Sequence, residues 1–197
     1  MRRFRHLANP LHNIPEVSPL RTAEVFAQKQ PLVLEIGFGF GKFFLEMAQK
    51  YPEKNFIGLE TRRPFVELIR QKLIALGLKN AHVIHANANF GLAKIFKKAS
   101  VAEIFILFPD PWIKRKHIKR RLINQPFLKD LHKVCARGAK IHIKTDEKFL
   151  YDDIRQHFIT AKLFKKARNT KLPFLTNREE KYLKRGKKIW QLTLVKN

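Results

Sequence analysis

Cysteine, acidic residues and long apolar runs are scarce in this chain, and each scarcity excludes something. Of 197 residues only Cys135 is a cysteine, so no internal disulfide forms and no thiolate pair can hold a metal. The eight histidines add no ligand spacing, because His82 and His85 would face opposite sides of one strand; no metal is expected. No apolar run approaches the ~20 residues of a spanning helix. The longest, Ile104 to Phe108, is strand-sized, and the arginine-rich start has no apolar signal segment behind it. A soluble, cytoplasmic protein without membrane contact is expected. Linkers and internal repeats are also lacking, so the reading is one domain over residues 21–197 behind a basic N-terminal arm, residues 1–20.

The shortage of acid is the most informative. Sixteen Asp and Glu stand against 41 Lys and Arg, a formal charge of +25, which points to a phosphate-rich partner. Residues 1–90 hold 13 basic and 7 acidic side chains, and residues 91–197 hold 28 and 9. The densest stretch, Lys114 to Arg121, places six cations in eight positions. Such a cluster neutralises phosphates and releases their counterions.

Hydrophobic residues make up 45% of the chain, enough for a real core, and their spacing alternates between strand and helix. Residues 31–36 read as a buried strand, 42–51 as a helix and 55–60 as a second strand. Pro64 opens the next helix and Gly77 stops it. Residues 81–86 read as strand three, 90–99 as a helix, 101–108 as strand four, 125–136 as a helix, 139–145 as strand five and 147–158 as a helix. Residues 163–167 and 189–195 are strand-like. This alternation predicts a doubly wound α/β fold. Between strand four and the next helix, Pro109-Asp110-Pro111 takes the chain off the sheet. Cys135, in an apolar stretch, is expected in the core.

Gly37-x-Gly39-x-Gly41 lies between a strand and a helix, where glycines allow a tight turn and close ligand approach. Phe43 after Gly41-Lys42 excludes a phosphate-binding P-loop. A dinucleotide site is disfavoured by Glu35, whose carboxylate would repel a pyrophosphate. S-adenosylmethionine has no phosphate; its sulfonium and ammonium favour a carboxylate at Glu35, and its ribose hydroxyls suit Glu60. In open α/β sheets ligands bind beyond the carboxyl ends of the strands, and Glu35, Glu60, Asp110 and Asp146 all fall there. Asn87, after strand three, suits an adenine edge. Phe108 and Trp112 read first as buried packing and second as stacking surfaces.

Together these residues resemble the bacterial tRNA (guanine-N7)-methyltransferases. The resemblance is carried by Glu35-Ile36-Gly37-x-Gly39-x-Gly41, Gly58-x-Glu60, Asn87-Ala88, Thr145-Asp146 with Tyr151, and Thr176-x-x-Glu179 with Lys181. Its most specific segment is Phe108-Pro109-Asp110-Pro111-Trp112 running through Lys114 and His117 to Lys119-Arg120-Arg121. The resemblance implies a Rossmann-like, mostly parallel seven-stranded sheet with helices on both faces and an antiparallel last strand. It implies S-adenosylmethionine bound by Glu35, Gly37, Gly39, Gly41, Glu60, Asn87, Ala88 and Asp110, with Asp110 catalytic. It implies tRNA as partner, methylated at guanine N7 in the variable loop (position 46), with substrate contacts from Lys114, Asp146, Thr176, Asn177, Arg178 and Glu179. Lys116, His117, Lys119, Arg120 and Arg121 would contact RNA. Ile113 and Arg178 depart from the family pattern, which usually has a proline and an aromatic there. Either a monomer or a homodimer is compatible with the pattern. Rival readings are a methyltransferase acting on an exocyclic amine, a noncatalytic RNA-binding protein on the same scaffold, and a nicotinamide-dependent oxidoreductase.

Overall fold

The computed structural model describes residues 15–197. Seven strands form one sheet in the order β3-β2-β1-β4-β5-β7-β6. They are β1 Leu32–Ile36, β2 Asn55–Glu60, β3 Ala81–His85, β4 Val101–Leu107, β5 Cys135–Thr145, β6 Phe164–Ala167 and β7 Trp190–Lys196. The first five pair in parallel, and β7 runs antiparallel to both β5 and β6. The predicted fold class, with its antiparallel last strand, matches this sheet. The short helix α1 Thr22–Val25 precedes it; α2 Lys42–Lys50, α3 Arg63–Ala75, α4 Ala88–Ile95, α5 Gln125–Val134, α6 Lys148–Ala161 and α7 Asn177–Leu183 connect its strands. Residues 1–14 of the expected N-terminal arm lie outside the described residues. Within the rest of that arm, Val17 and Leu20 pack on the core, and Leu20 N–H donates to the Ile95 carbonyl at 2.8 Å.

Strand alternation divides the core between the two faces. Leu34, Ile104, Ile106, Ile141 and Ile143 turn toward α4, α5 and α6, while Val33, Phe105 and Leu107 turn toward α2 and α3. Phe43, Phe44, Val66 and Ile69 fill the second layer, where Phe43 meets Phe105 edge to face with ring centres 5.0 Å apart. Cys135 is buried as expected, and burial pushes its thiol up to about 12, which keeps it an inert core group.

The short helix α1, a 3-10 helix and helix α7 lie outside the sequence expectation, and strand five starts earlier than expected. Strand β5 begins at Cys135, because the chain passes Gly138 (φ 75°) as an irregularity in the ladder with β4 instead of stopping there. Residues Arg115–Arg120 form a 3-10 helix inside the basic run. Helix α7 is capped by Thr176, whose side chain accepts the Glu179 N–H at 3.0 Å. Thr176-x-x-Glu179 is the sequence signature of a capping box, so a signal for this helix was present. Glu179 does not reach back to complete the box; it is 5% exposed and meets the buried Lys144 of β5 at 2.6 Å. Lys42 of α2 also pairs with Glu180. These pairs, with Leu172 and Phe174, tie the segment before β7 to the sheet face.

Breaking a buried pair leaves one uncompensated charge, whereas removing both partners does not. Lys144→Met should therefore destabilise the protein by about 3 kcal/mol, and Lys144→Met with Glu179→Met should recover most of that loss. Urea unfolding of the two variants beside the parent measures both quantities.

Candidate active site

Parallel pairing brings the carboxyl ends of β1, β2, β3 and β4 to one edge, and a cleft opens there. Its walls include Gly37, Glu60, Arg62, Asn87, Ala88, Phe108, Asp110, Trp112 and Arg120. Five of the eight expected cofactor residues thus line one cavity: Gly37, Glu60, Asn87, Ala88 and Asp110. Gly37 (φ 79°) has nothing within 4 Å of where a Cβ would stand, leaving its backbone open to a ligand. Asn87 caps α4, accepting the Asn89 N–H at 3.0 Å.

The other three support the cleft from behind. Gly39 donates its N–H to Glu60 at 3.0 Å, fixing the carboxylate. Gly41 stands behind the cleft wall, and a Cβ there would lie 2.4 Å from Ile69 Cδ1. Its left-handed backbone (φ 71°) and close helix packing explain the glycine. Glu35 is buried beside the cleft rather than on its surface. Burial first, and the neighbouring Glu60 second, push its carboxyl up to about 8, and its Oε2 has no hydrogen-bond partner. A buried acceptor without a donor invites a cationic or hydrogen-bonding ligand.

Arg62 manages the second carboxylate. Its Nε and Nη2 meet the two Glu60 oxygens at 3.0 and 3.1 Å, and its guanidinium lies 4.2 Å above the Phe65 ring. Asp110 stands at the cleft mouth, still reached by solvent. The crowded walls raise its carboxyl above the usual range, Arg62 and Arg178 pull it back, and Glu60 adds to the rise. The backbone around it is constrained: Phe108 (φ 58°) and Trp112 (φ 43°) are left-handed residues with side chains, and prolines flank Asp110. Such conformations persist only where the surroundings fix them, and they mark functional turns. Phe108 and Trp112 are buried, so their rings pack as well as line the cleft.

The basic run is two-faced. In a 3-10 helix side chains three apart eclipse one another. His117 and Arg120 accordingly share a face that turns onto Trp112, at 5.7 and 5.1 Å from its ring. Desolvation, then the cations Arg120, Lys116 and Lys114, hold His117 below the usual imidazole range. Arg121 corrects the expectation of an RNA contact: its side chain is 10% exposed, donating Nε to the Pro111 carbonyl and Nη1 to Asp153, both at 2.9 Å. It clamps the strained loop to α6. Arg120 is likewise drawn away from the outer surface into the cleft wall. Lys114, Arg115, Lys116 and Lys119 remain exposed.

Asp146, beyond β5, has a carboxylate only 2% exposed, with Arg178 at 3.6 Å and Lys187 at 3.5 Å. Arg178 also donates to the Phe108 carbonyl at 3.4 Å, so the departure from an aromatic residue places a cation between the two acidic loops. Asn177 is exposed at the start of α7. Thr176 and Glu179, expected at the substrate, are instead engaged within the protein as helix cap and buried ion-pair partner. Arg62 and Lys187 were missed from sequence, since only the folded chain sets them against Glu60 and Asp146.

Residues 29–192 match the family model described as "Putative methyltransferase". A tRNA (guanine-N(7)-)-methyltransferase of Trichormus variabilis is 33% identical, covering 96% of this chain and 94% of that protein. The chain belongs to this family of methyltransferases. A protein of the same name from Thermotoga maritima is 33% identical over 90% of this chain, a match that spans 58% of that protein's length. Among solved structures, the 16S rRNA methyltransferase KamB superposes with a TM-score of 0.70 at 18% identity, covering 94% of this chain and 97% of that one. The aminoglycoside resistance methyltransferase NpmB1 gives 0.65 at 16% identity, covering 89% and 92%. At these identities the two structures share the fold.

The donor set fits S-adenosylmethionine. The unpartnered Glu35 oxygen suits a cationic end, Glu60 suits ribose hydroxyls, and Gly37 leaves room for close approach. Glu35 then links binding to pH. Its folded value of about 8 exceeds the ordinary 4.5, so folding retains a proton that the unfolded chain releases between those values. Stability from this group is complete below pH 4.5 and is lost as pH rises toward 8. Glu35→Gln should therefore melt at a higher temperature than the parent at pH 8.5 and with little difference at pH 5, while binding S-adenosylmethionine at least about tenfold more weakly. Thermal melts at the two pH values and calorimetric titration give both results.

Proposed function

We propose that the chain transfers the methyl group of S-adenosylmethionine to N7 of guanine in tRNA, at position 46 of the variable loop. The observation that carries this reading is the convergence of Glu60, Asn87 and Asp110 on one cleft, with Glu35 buried behind it and a basic loop on its rim. Relatives named for the same reaction support it.

When bound, S-adenosylmethionine supplies an electrophilic methyl group on a cationic sulfur. Glu35 answers the cationic end, Glu60 accepts from the ribose, and Asn87 with Ala88 faces the adenine. Guanine N7 has a lone pair in the ring plane and no proton to lose, so no side chain is required as a general base. The protein's task is alignment and charge. Asp110 takes both parts: its loop is fixed by two left-handed residues and two prolines, and its carboxylate faces the positive charge that methylation places on the ring. Its raised value means that this charge is lost at a higher pH than for an ordinary aspartate. Asp146 accepts from the N1–H and N2–H edge of guanine in exchange for its present contacts with Arg178 and Lys187.

The exposed Lys114, Arg115, Lys116 and Lys119 hold the RNA backbone and leave base choice to the pocket. In the rival noncatalytic reading, cleft carboxylates would have no work in a protein that otherwise favours polyanions. The competing choice of an exocyclic amine is separated by the product itself.

Incubation with labelled S-adenosylmethionine and unmodified tRNA, then nuclease digestion, should yield labelled 7-methylguanosine. A different nucleoside would retain the enzyme class and overturn the N7 assignment. Asp110→Asn should lower turnover by about 100-fold or more with tRNA binding retained. Replacing Arg115, Lys116 and Lys119 together by Ala should flatten the log–log salt dependence of tRNA affinity by about 2 to 3 units; an unchanged slope would mean that these cations meet only solvent.

A further inference from the structure

Arg120 is the one member of the basic run whose side chain joins the cleft wall. Its Nε is shielded from solvent and has no hydrogen-bond partner, and its guanidinium lies 5.1 Å from the Trp112 ring centre. Among the described residues no carboxylate pairs with it. The other arginine of the cleft, Arg62, is already held by both oxygens of Glu60. A buried guanidinium donor left unmade is costly, so the site is built for an acceptor that arrives from outside.

The identity of that acceptor follows from what the remaining residues leave unmatched. Glu35 answers a cationic group, Glu60 a diol and Asn87 an adenine edge. The amino-acid end of S-adenosylmethionine also carries a carboxylate, for which the acidic groups of the cleft offer nothing. A guanidinium presents a planar fork that matches a carboxylate through two hydrogen bonds, and the indole face behind it fixes its plane. We infer that Arg120 binds the α-carboxylate of the cofactor, so that the basic run serves two ligands: its outer cations face the RNA and its inner arginine faces the methyl donor. The spacing of His117 and Arg120 accounts for the division, since a period of three turns both side chains onto Trp112.

This inference rests on S-adenosylmethionine being the ligand of the cleft, and the test separates the two. Calorimetry compares S-adenosylhomocysteine, which keeps the carboxylate, with 5′-methylthioadenosine, which lacks the whole amino-acid end, on the parent protein and on Arg120→Gln. The expected result is a loss of about 10- to 100-fold for S-adenosylhomocysteine and less than about twofold for methylthioadenosine. Arg120→Lys, which keeps the charge without the fork, should fall between. Filter binding of tRNA across a salt series should give the same slope for Arg120→Gln and the parent.

Unchanged S-adenosylhomocysteine affinity together with a shallower tRNA salt slope would overturn the inference and return Arg120 to the phosphate contacts. Equal weakening of both nucleosides would overturn it as well, showing a general disturbance of the cleft. Failure of the parent protein to bind either nucleoside would overturn the cofactor reading itself, a result that the variant cannot produce.

Discussion

The burial of Glu35, with a second carboxylate, Glu60, beside it, is the constraint around which this end of the molecule is built. Parallel pairing sets Glu35 opposite Gly58, two residues before Glu60, so adjacent strands deliver both carboxylates to the same edge. Glu35 is buried, and its carboxyl rises to about 8. A neutral Glu35 is the way the free protein tolerates the pair. The fork from Arg62 and the N–H of Gly39 stabilise the other member. The arrangement is costly to the fold above neutral pH, where the buried carboxyl must give up its proton. On the proposed reading, stability and ligand affinity draw on the same group with opposite signs, as a binding site less stable than its scaffold requires would do.

Charge at a larger scale follows the same division. A net charge of +25 gathers polyanions over several tens of ångströms at low salt and attracts RNA without regard to sequence. The acids are few, and several stand at strand ends, so this cleft gathers carboxylates while its rim carries exposed cations. The exposed cations of the rim face solvent, while the cleft sets carboxylates of Glu60 and Asp110 beside the guanidinium groups of Arg62 and Arg120. The clamp of Arg121 on Asp153 and the Pro111 carbonyl holds rim and cleft in fixed relation, joining the basic helix to the loop that carries Asp110.

Sheet and helices were legible because their signals are periodic. The residues of β2 were delimited correctly from Asn55 to Glu60, and the acids at the ends of β1, β2 and β4 could be assigned to one edge from connectivity alone. What pattern reading missed depends on local geometry. A basic run carries no apolar period, so the 3-10 helix and its inward arginine were invisible in composition, although the three-residue spacing of His117 and Arg120 was there to be read. The early start of β5 at Cys135 is likewise invisible, because a glycine such as Gly138 serves a bulge and a turn equally well. The substrate role of Glu179 is what the resemblance implies; the pairing of its carboxylate with Lys144 shows only in the folded chain.

That buried pair bears on specificity as well as stability. Lys144 stands in β5 two residues before Asp146, and Glu179 follows Arg178 directly in α7. Fixing Lys144 to Glu179 at 2.6 Å therefore fixes the approach of Arg178 to Asp146 at 3.6 Å, across from the Phe108 carbonyl at the base of the Asp110 loop. The cation between the two acidic loops is not a freely moving surface side chain; its root is anchored by a desolvated ion pair. Replacing Lys144 then has two separable consequences. The unpaired Glu179 lowers global stability, and the loosened helix α7 lets Arg178 leave Asp146, exposing a carboxylate that the intact fold keeps 98% covered by these neighbours and the sheet. The strap before β7 thus connects the energetics of the sheet face to the accessibility of its last acidic loop, a coupling carried by two adjacent residues of one short helix.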